Sequence, residues 1–197
     1  MHEALIIIDV QNDFCPQGAL AVAKGDSVVS PLNRAIKAFT EAGLPVFFTR
    51  DWHPLNHISF KTRGGPWPPH CVQGTKGSEF YPDLDVPESA DIVSKGDDPD
   101  KEAYSGFQGT DLSSQLEKLG VTQVVLGGLA TDYCVKESTM DALKAGFKVR
   151  VLEDAVRPVD VRKGDGDRAL REMRKKGARL TTTSEEINRL PSGQKTR

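Results

Sequence analysis

Cysteine is scarce in this chain. Cys15, Cys71 and Cys134 are odd in number, lie far apart, and form neither a CxxC redox pair nor a four-cysteine zinc site. A disulfide framework is therefore not expected, and the thiols should stay reduced, which points to the cytoplasm. Long apolar runs are missing too. The amino-terminal run Ala4–Ile8 is too short for a secretory signal and follows Glu3 instead of a basic region, and no stretch reaches membrane length. Charge of one sign is never concentrated: the formal net charge is -2, and the basic clusters do not exceed Arg174–Lys176. Nothing here would recruit nucleic acid or an anionic membrane. No internal repeat or interdomain linker is visible.

What is present is a chain of 197 residues, 38% hydrophobic and 27% charged, with the two kinds mixed along its length. That length lets one α/β domain bury its core unaided. A single domain over residues 1–190 is expected, followed by a tail over 191–197. The expected partner is a small molecule, and assembly into homo-oligomers is left open.

The apolar run Ala4–Val10 reads as a parallel strand buried on both faces. Val28, Leu32, Ala35, Ile36 and Phe39 recur at helical spacing, with Pro31 in the first turn and Gly43 at the close. Further strands are expected at Pro45–Thr49, Asp91–Ser94, Gln123–Leu126, Lys148–Leu152 and Arg179–Thr182. Helices are expected from Thr110 to Gly120, from Cys134 to Ala145, and around Arg168–Lys176. This repeated alternation implies a mostly parallel sheet between helical layers. Two aperiodic stretches, Gln11–Ser27 and Asp51–Glu88, are long enough to be functional loops.

In open α/β sheets, ligands bind beyond the carboxyl ends of the strands. Asp9 ends the first strand, Asp51 and His53 follow the second, Lys95 follows the third, and Gly127–Cys134 leads out of the fourth. The reactive groups thus share one edge. Cys134 opens a helix, where the helix dipole and a nearby Lys95 are expected to favour a thiolate, and Asp9 is placed to take and return its proton. The small residues of Gly127–Cys134 would let backbone N–H groups approach an oxyanion. In the long loop, Asp51-Trp52-His53-Pro54, His57 and Trp67-Pro68-Pro69-His70 gather a carboxylate and three of the four histidines, a donor set suited to zinc, manganese or iron.

These residues resemble a known family. Asp9-Val10-Gln11-Asn12-Asp13-Phe14, Asp51-Trp52-His53-Pro54, Trp67-Pro68-Pro69-His70-Cys71, Lys95-Gly96, Tyr104-Ser105-Gly106-Phe107 and Gly128-Leu129-Ala130-Thr131-Asp132-Tyr133-Cys134-Val135 are similar to the nicotinamidases of the isochorismatase-like cysteine hydrolases, in the family's order from Asp9 to about Asp154. The resemblance implies a three-layer α/β/α fold with a six-stranded parallel sheet in the order 3-2-1-4-5-6. It implies a catalytic triad of Asp9, Lys95 and Cys134, and an oxyanion hole from the N–H groups of Ala130 and Cys134 beside a cis Leu129–Ala130 peptide. It implies one divalent ion, zinc before manganese or iron, on Asp51, His53 and His70, with His57 joining the shell in some members. Phe14, Trp67, Tyr104 and Ala130 would enclose the substrate ring, while Asp132 receives no catalytic role.

The implied activity is hydrolysis of nicotinamide to nicotinate and ammonia through a cysteine thioester, the ion orienting the pyridine ring. The alternatives are a related cysteine amidohydrolase acting on another small amide, carbamoyl or ureido substrate, a hydrolase whose metal generates hydroxide while Cys134 stays inert, and a binding module on a degenerate scaffold.

Overall fold

A computed structural model of the chain describes residues 2–191. Of the expected tail, all but Pro191 lies outside the described residues. Six strands, β1 (Glu3–Ile8), β2 (Val46–Asp51), β3 (Asp91–Lys95), β4 (Gln123–Leu129), β5 (Lys148–Arg157) and β6 (Arg179–Thr181), form one sheet in the order β3-β2-β1-β4-β5-β6. Every neighbouring pair is parallel. Among the described residues, no helix is long and apolar enough to cross a membrane.

Each residue of β1 is buried, as a central parallel strand with helices on both faces requires. Its alternation assigns side chains to two cores. Ala4, Ile6 and Ile8 pack with Leu112 and Leu116 of α2 (Leu112–Lys118), Ala142 of α3 (Lys136–Lys144), and Ala169 and Met173 of α4 (Asp165–Lys175). Leu5 and Ile7 pack with Leu32, Ala35, Ile36 and Phe39 of α1 (Val29–Glu41). The helical spacing read from the sequence thus marks the buried stripe of α1. A further helix, α5 (Thr183–Arg189), lies against α1.

Several boundaries differ from the sequence reading for local reasons. The first strand stops at Ile8 because Asp9 turns into the left-handed region, with φ of 47°. The fourth runs on through Gly127 and Gly128, which the sequence reading set behind it. Gly128 has φ of 129°, and a Cβ there would lie 2.0 Å from the Ile8 carbonyl oxygen, so only glycine lets β4 run this close to β1. The fifth continues five residues past Leu152, its ladder to β4 resuming after a register shift between Leu126 and Gly128. The helix expected from Cys134 begins earlier, as a π-helical turn over Thr131–Val135 that runs directly into α3.

Candidate active site

The chain runs from β1 outward to β3, then returns to β4 beside β1 and continues to β6. This reversal is the topological switch point at which open α/β sheets open a crevice. Asp9 lies one residue past β1, Asp51 ends β2, Lys95 ends β3, and Cys134 sits in the turn that leaves β4. Asp51 and Lys95 are register partners, so the ladder itself delivers both to one level.

Asp9, Lys95 and Cys134 are all buried and in mutual reach. Lys95 Nζ stands 2.9 Å from Asp9 Oδ2, donates to Asp51 Oδ1 and to the Ala103 carbonyl at 3.2 Å, and lies 3.6 Å from Cys134 Sγ. Carboxylate oxygens of Asp9 and Asp51 and the Cys134 sulfur lie within 4.8 Å of one another. The ammonium sits among these three, in the place a second cation would need.

Burial dominates the electrostatics of this cluster. Burial pushes the Cys134 thiol well above its ordinary range; Lys95 draws it down, but Asp9 and Asp51 push it up again. Burial and the two carboxylates therefore oppose the thiolate that its helix position favours, and sequence spacing does not reveal how completely those carboxylates are buried beside it. Burial also raises Asp9, against the pull of Lys95. For Lys95, burial opposes the charge, but Asp51 and Asp9 outweigh it and keep the ammonium protonated. Asp51 is the reverse case: burial would raise it, and Lys95 with His53 and His70 holds it below the usual carboxylate range.

The second cluster adjoins the first through Asp51. His53 Nε2 and His70 Nε2 lie 3.5 and 3.9 Å from Asp51 Oδ2. Their Nδ1 atoms each pair at 2.8 Å with a backbone carbonyl, of Gly96 and of Pro68. A carbonyl can only accept, so both Nδ1 atoms carry hydrogen, and in the neutral ring Nε2 presents its lone pair toward Asp51. Three buried donors, N, N and O, converge within 4.8 Å, which fits a divalent ion. His57 stands apart. Its Nδ1 pairs with Ser59 Oγ at 2.7 Å and its Nε2 with the Lys101 carbonyl at 2.9 Å, while its ring stacks on His53 at 4.1 Å. Both nitrogens of His57 are thus engaged by protein, and its ring packs on that of His53.

The loop residues around the first strand hold this cluster in place. Gln11 Oε1 accepts from Asp51 N at 2.8 Å, and its Nε2 donates to the Asp51 carbonyl at 2.8 Å and to that of Ser78 at 2.9 Å. Asp13 accepts from Cys71 N at 2.7 Å and from Ala19 N at 3.0 Å, tying the His70 segment to the loop after β1. Asp132, given no catalytic role from the sequence, accepts from Val159 N and Asp160 N at 2.9 Å each, clamping the Cys134 turn to the segment after β5.

Between the two clusters lies a small cavity lined by Phe14, Trp67, Tyr104, Ala130 and Cys134, together with Asp51 and His70. All four residues expected to enclose the ring therefore meet here. Trp67 Nε1 donates to Tyr104 Oη at 3.0 Å, and Phe14 leans on His70 at 5.6 Å. The Leu129–Ala130 peptide is cis. Leu20, Tyr133 and Val159 also line the cavity and were not singled out from the sequence. Tyr133 packs edge-on against Trp67 at 5.1 Å. Val159 follows β5 and would have been found by the strand-end rule had that strand been read to its true end; Leu20, inside an aperiodic loop, gave no signal. A wider open groove by Lys136, Arg162 and Arg168 carries none of the reactive groups.

A family model for the isochorismatase domain matches residues 3–185. The chain is 38% identical to the nicotinamidase of Escherichia coli (strain K12), over 92% of this chain and 95% of that protein. It is 39% identical to the nicotinamidase/pyrazinamidase of Mycobacterium tuberculosis, over 92% of this chain and 99% of that one. Among solved structures, the pyrazinamidase of Pyrococcus horikoshii in complex with zinc matches with a TM-score of 0.88 at 51% identity, over 92% of this chain and 99% of that one. Sequence and fold agree: the chain belongs to the isochorismatase family, and within it to the nicotinamidases.

Proposed function

We infer that this chain hydrolyses nicotinamide to nicotinate and ammonia through a thioester on Cys134. The observation that carries the reading is the placement of two buried clusters, Asp9–Lys95–Cys134 and Asp51–His53–His70, on one aromatic-lined cavity of a nicotinamidase fold.

Cys134 gives its proton to Asp9 as the sulfur attacks the amide carbon, and the N–H groups of Ala130 and Cys134 receive the oxyanion. Asp9 passes that proton to the nitrogen as the C–N bond breaks and ammonia leaves. Water then gives a proton to Asp9 and its oxygen to the carbonyl carbon; the C–S bond breaks, nicotinate forms, and Asp9 returns the proton to the sulfur. Lys95 stays charged throughout and balances the two carboxylates. Asp51, His53 and His70 would hold a divalent ion, and we take zinc as that ion from the donor set and from the Pyrococcus horikoshii relative. When bound, the ion supplies a Lewis-acid anchor for the pyridine nitrogen. Phe14, Trp67 and Tyr104 exclude water from the ring. The three unpaired thiols suit a reducing compartment such as the cytoplasm.

The test is ammonia release from nicotinamide beside a panel of carbamoyl, ureido and other small amides, with metal analysis of the purified protein. Nicotinamide should give the highest kcat/KM of the panel. No release from nicotinamide under any metal condition, with turnover of a ureido or carbamoyl substrate, would move the chain to a different amidase specificity.

A further inference from the structure

The two oxygens of the carboxylate that serves Cys134 have different partners. Thr49 Oγ1 donates to Asp9 Oδ1 at 2.5 Å, both residues being inaccessible to solvent. Asp9 Oδ2 receives no directed hydrogen bond, although Lys95 Nζ is 2.9 Å away. Thr49 holds the Asp9 backbone as well, its carbonyl accepting from Asp9 N at 3.2 Å.

The Thr49 rotamer is fixed from outside the site. A Cβ on Gly106 would lie 2.8 Å from Thr49 Cγ2, so the bare backbone of Gly106 packs against that methyl. Gly106 is itself pinned at both ends: its N–H donates to Ser138 Oγ at 2.9 Å and its carbonyl accepts from Thr110 Oγ1 at 2.6 Å. Ser138 stands four residues beyond Cys134, on the helix that carries the nucleophile. A contact chain therefore runs from that helix through Ser138, Gly106 and Thr49 to the base.

We propose that Thr49 is the positioning residue for Asp9, engaging Oδ1 so that the carboxylate keeps the orientation in which it takes the Cys134 proton and returns it to the departing nitrogen, and that Gly106 is glycine to hold Thr49 in that rotamer. The proposal rests on the nicotinamidase reading above. Thr49→Val keeps the shape and removes the donor, whereas Thr49→Ser keeps the donor and removes the methyl.

The experiment measures kcat and KM for ammonia release, with melting curves as a check on folding. Thr49→Val should lower kcat about 100-fold, the low end of what a positioned acid–base group contributes, and leave KM within about twofold. Thr49→Ser should keep most of the parent kcat. Gly106→Ala should lower kcat roughly tenfold by pressing on the Thr49 methyl, and the double variant Gly106→Ala/Thr49→Ser should recover it, since the group that was struck is gone. Parent-like kcat in Thr49→Val, equal damage in Thr49→Ser, or a double variant no better than Gly106→Ala would overturn the proposal. If Thr49→Val does not fold, the Gly106 pair decides alone. Failure of the parent enzyme on nicotinamide would overturn the substrate reading only, and the same variants would be compared on the panel amide it does accept.

Discussion

Cys134→Ala is expected to release no measurable ammonia from nicotinamide while folding as the parent chain does. Cys134 carries the only sulfur that lies against both Asp9 and Lys95 in the cavity among the described residues, so its removal takes away the attacking atom, and loss of a unit nucleophile costs about 10⁴-fold or more in kcat. The packing loss is small. The side chain is buried, and trimming one sulfur from such a site costs on the order of 1 kcal/mol, or about 2–4 °C in Tm for a domain of this size. Ammonia release and a thermal melt on the same preparation separate the two effects. Full activity in this variant would mean that an ion-activated water attacks the amide and that the cysteine is a bystander.

Lys95→Ala should be the most damaging substitution to stability as well as to turnover. Its ammonium is enclosed between Asp9 and Asp51, and removing it leaves two buried carboxylates facing each other without a counter-charge. Breaking a buried pair in this way costs about 3–5 kcal/mol. The sign of the pH dependence follows from the same contacts. In the parent, Asp51 is held below the usual carboxylate range, so its stabilising contribution is present above the unfolded value and is lost only as pH falls into strong acid. In the variant both carboxylates must rise, and a raised folded value favours the fold at low pH. The deficit of Lys95→Ala should therefore be largest near neutral pH and shrink as pH falls. Denaturant titrations of the chelated parent and variant across pH test this, chelation being needed because an ion on Asp51 would replace part of the lost charge. A variant as stable as the parent at neutral pH would show that the two carboxylates do not depend on Lys95.

The fold was legible because its central elements advertise themselves. Leu5 to Ile8 could only be a strand covered on both faces, and the spacing of Leu32, Ala35, Ile36 and Phe39 could only be one helix stripe. Once those strands were located, the strand-end rule collected Asp9, Asp51, Lys95 and the Cys134 segment at one edge without any coordinates. What escaped notice has physical reasons. Gly127 and Gly128 argue for a turn by propensity, yet they belong to β4, because Gly128 closely approaches Ile8 and a Cβ on Gly127 would lie 2.7 Å from Leu32 Cδ2. Glu153 and Asp154 disguised the second half of β5. The helix Thr183–Arg189 was overlooked although Thr182 and Glu185 form a capping box, a signal that can be read from sequence. The burial around Cys134 was not legible because a dipole argument counts helix position alone, and the sequence does not show that Ser59 and the Lys101 carbonyl engage the two nitrogens of His57. Thr49 gave no sign at all, since its importance lies in an oxygen of Asp9 that sequence does not orient.

The measurement that bears most directly on the mechanism is the site of acylation during turnover. Enzyme mixed with nicotinamide and quenched in acid within the first turnovers should yield a pyridine-3-carbonyl adduct on the peptide that contains Cys134, and added hydroxylamine should divert the product to the hydroxamate. Cys15 and Cys71, buried and outside the two reactive clusters, should stay unmodified. An adduct on either of those cysteines, or full ammonia release with neither adduct nor hydroxamate, would contradict a thioester on Cys134.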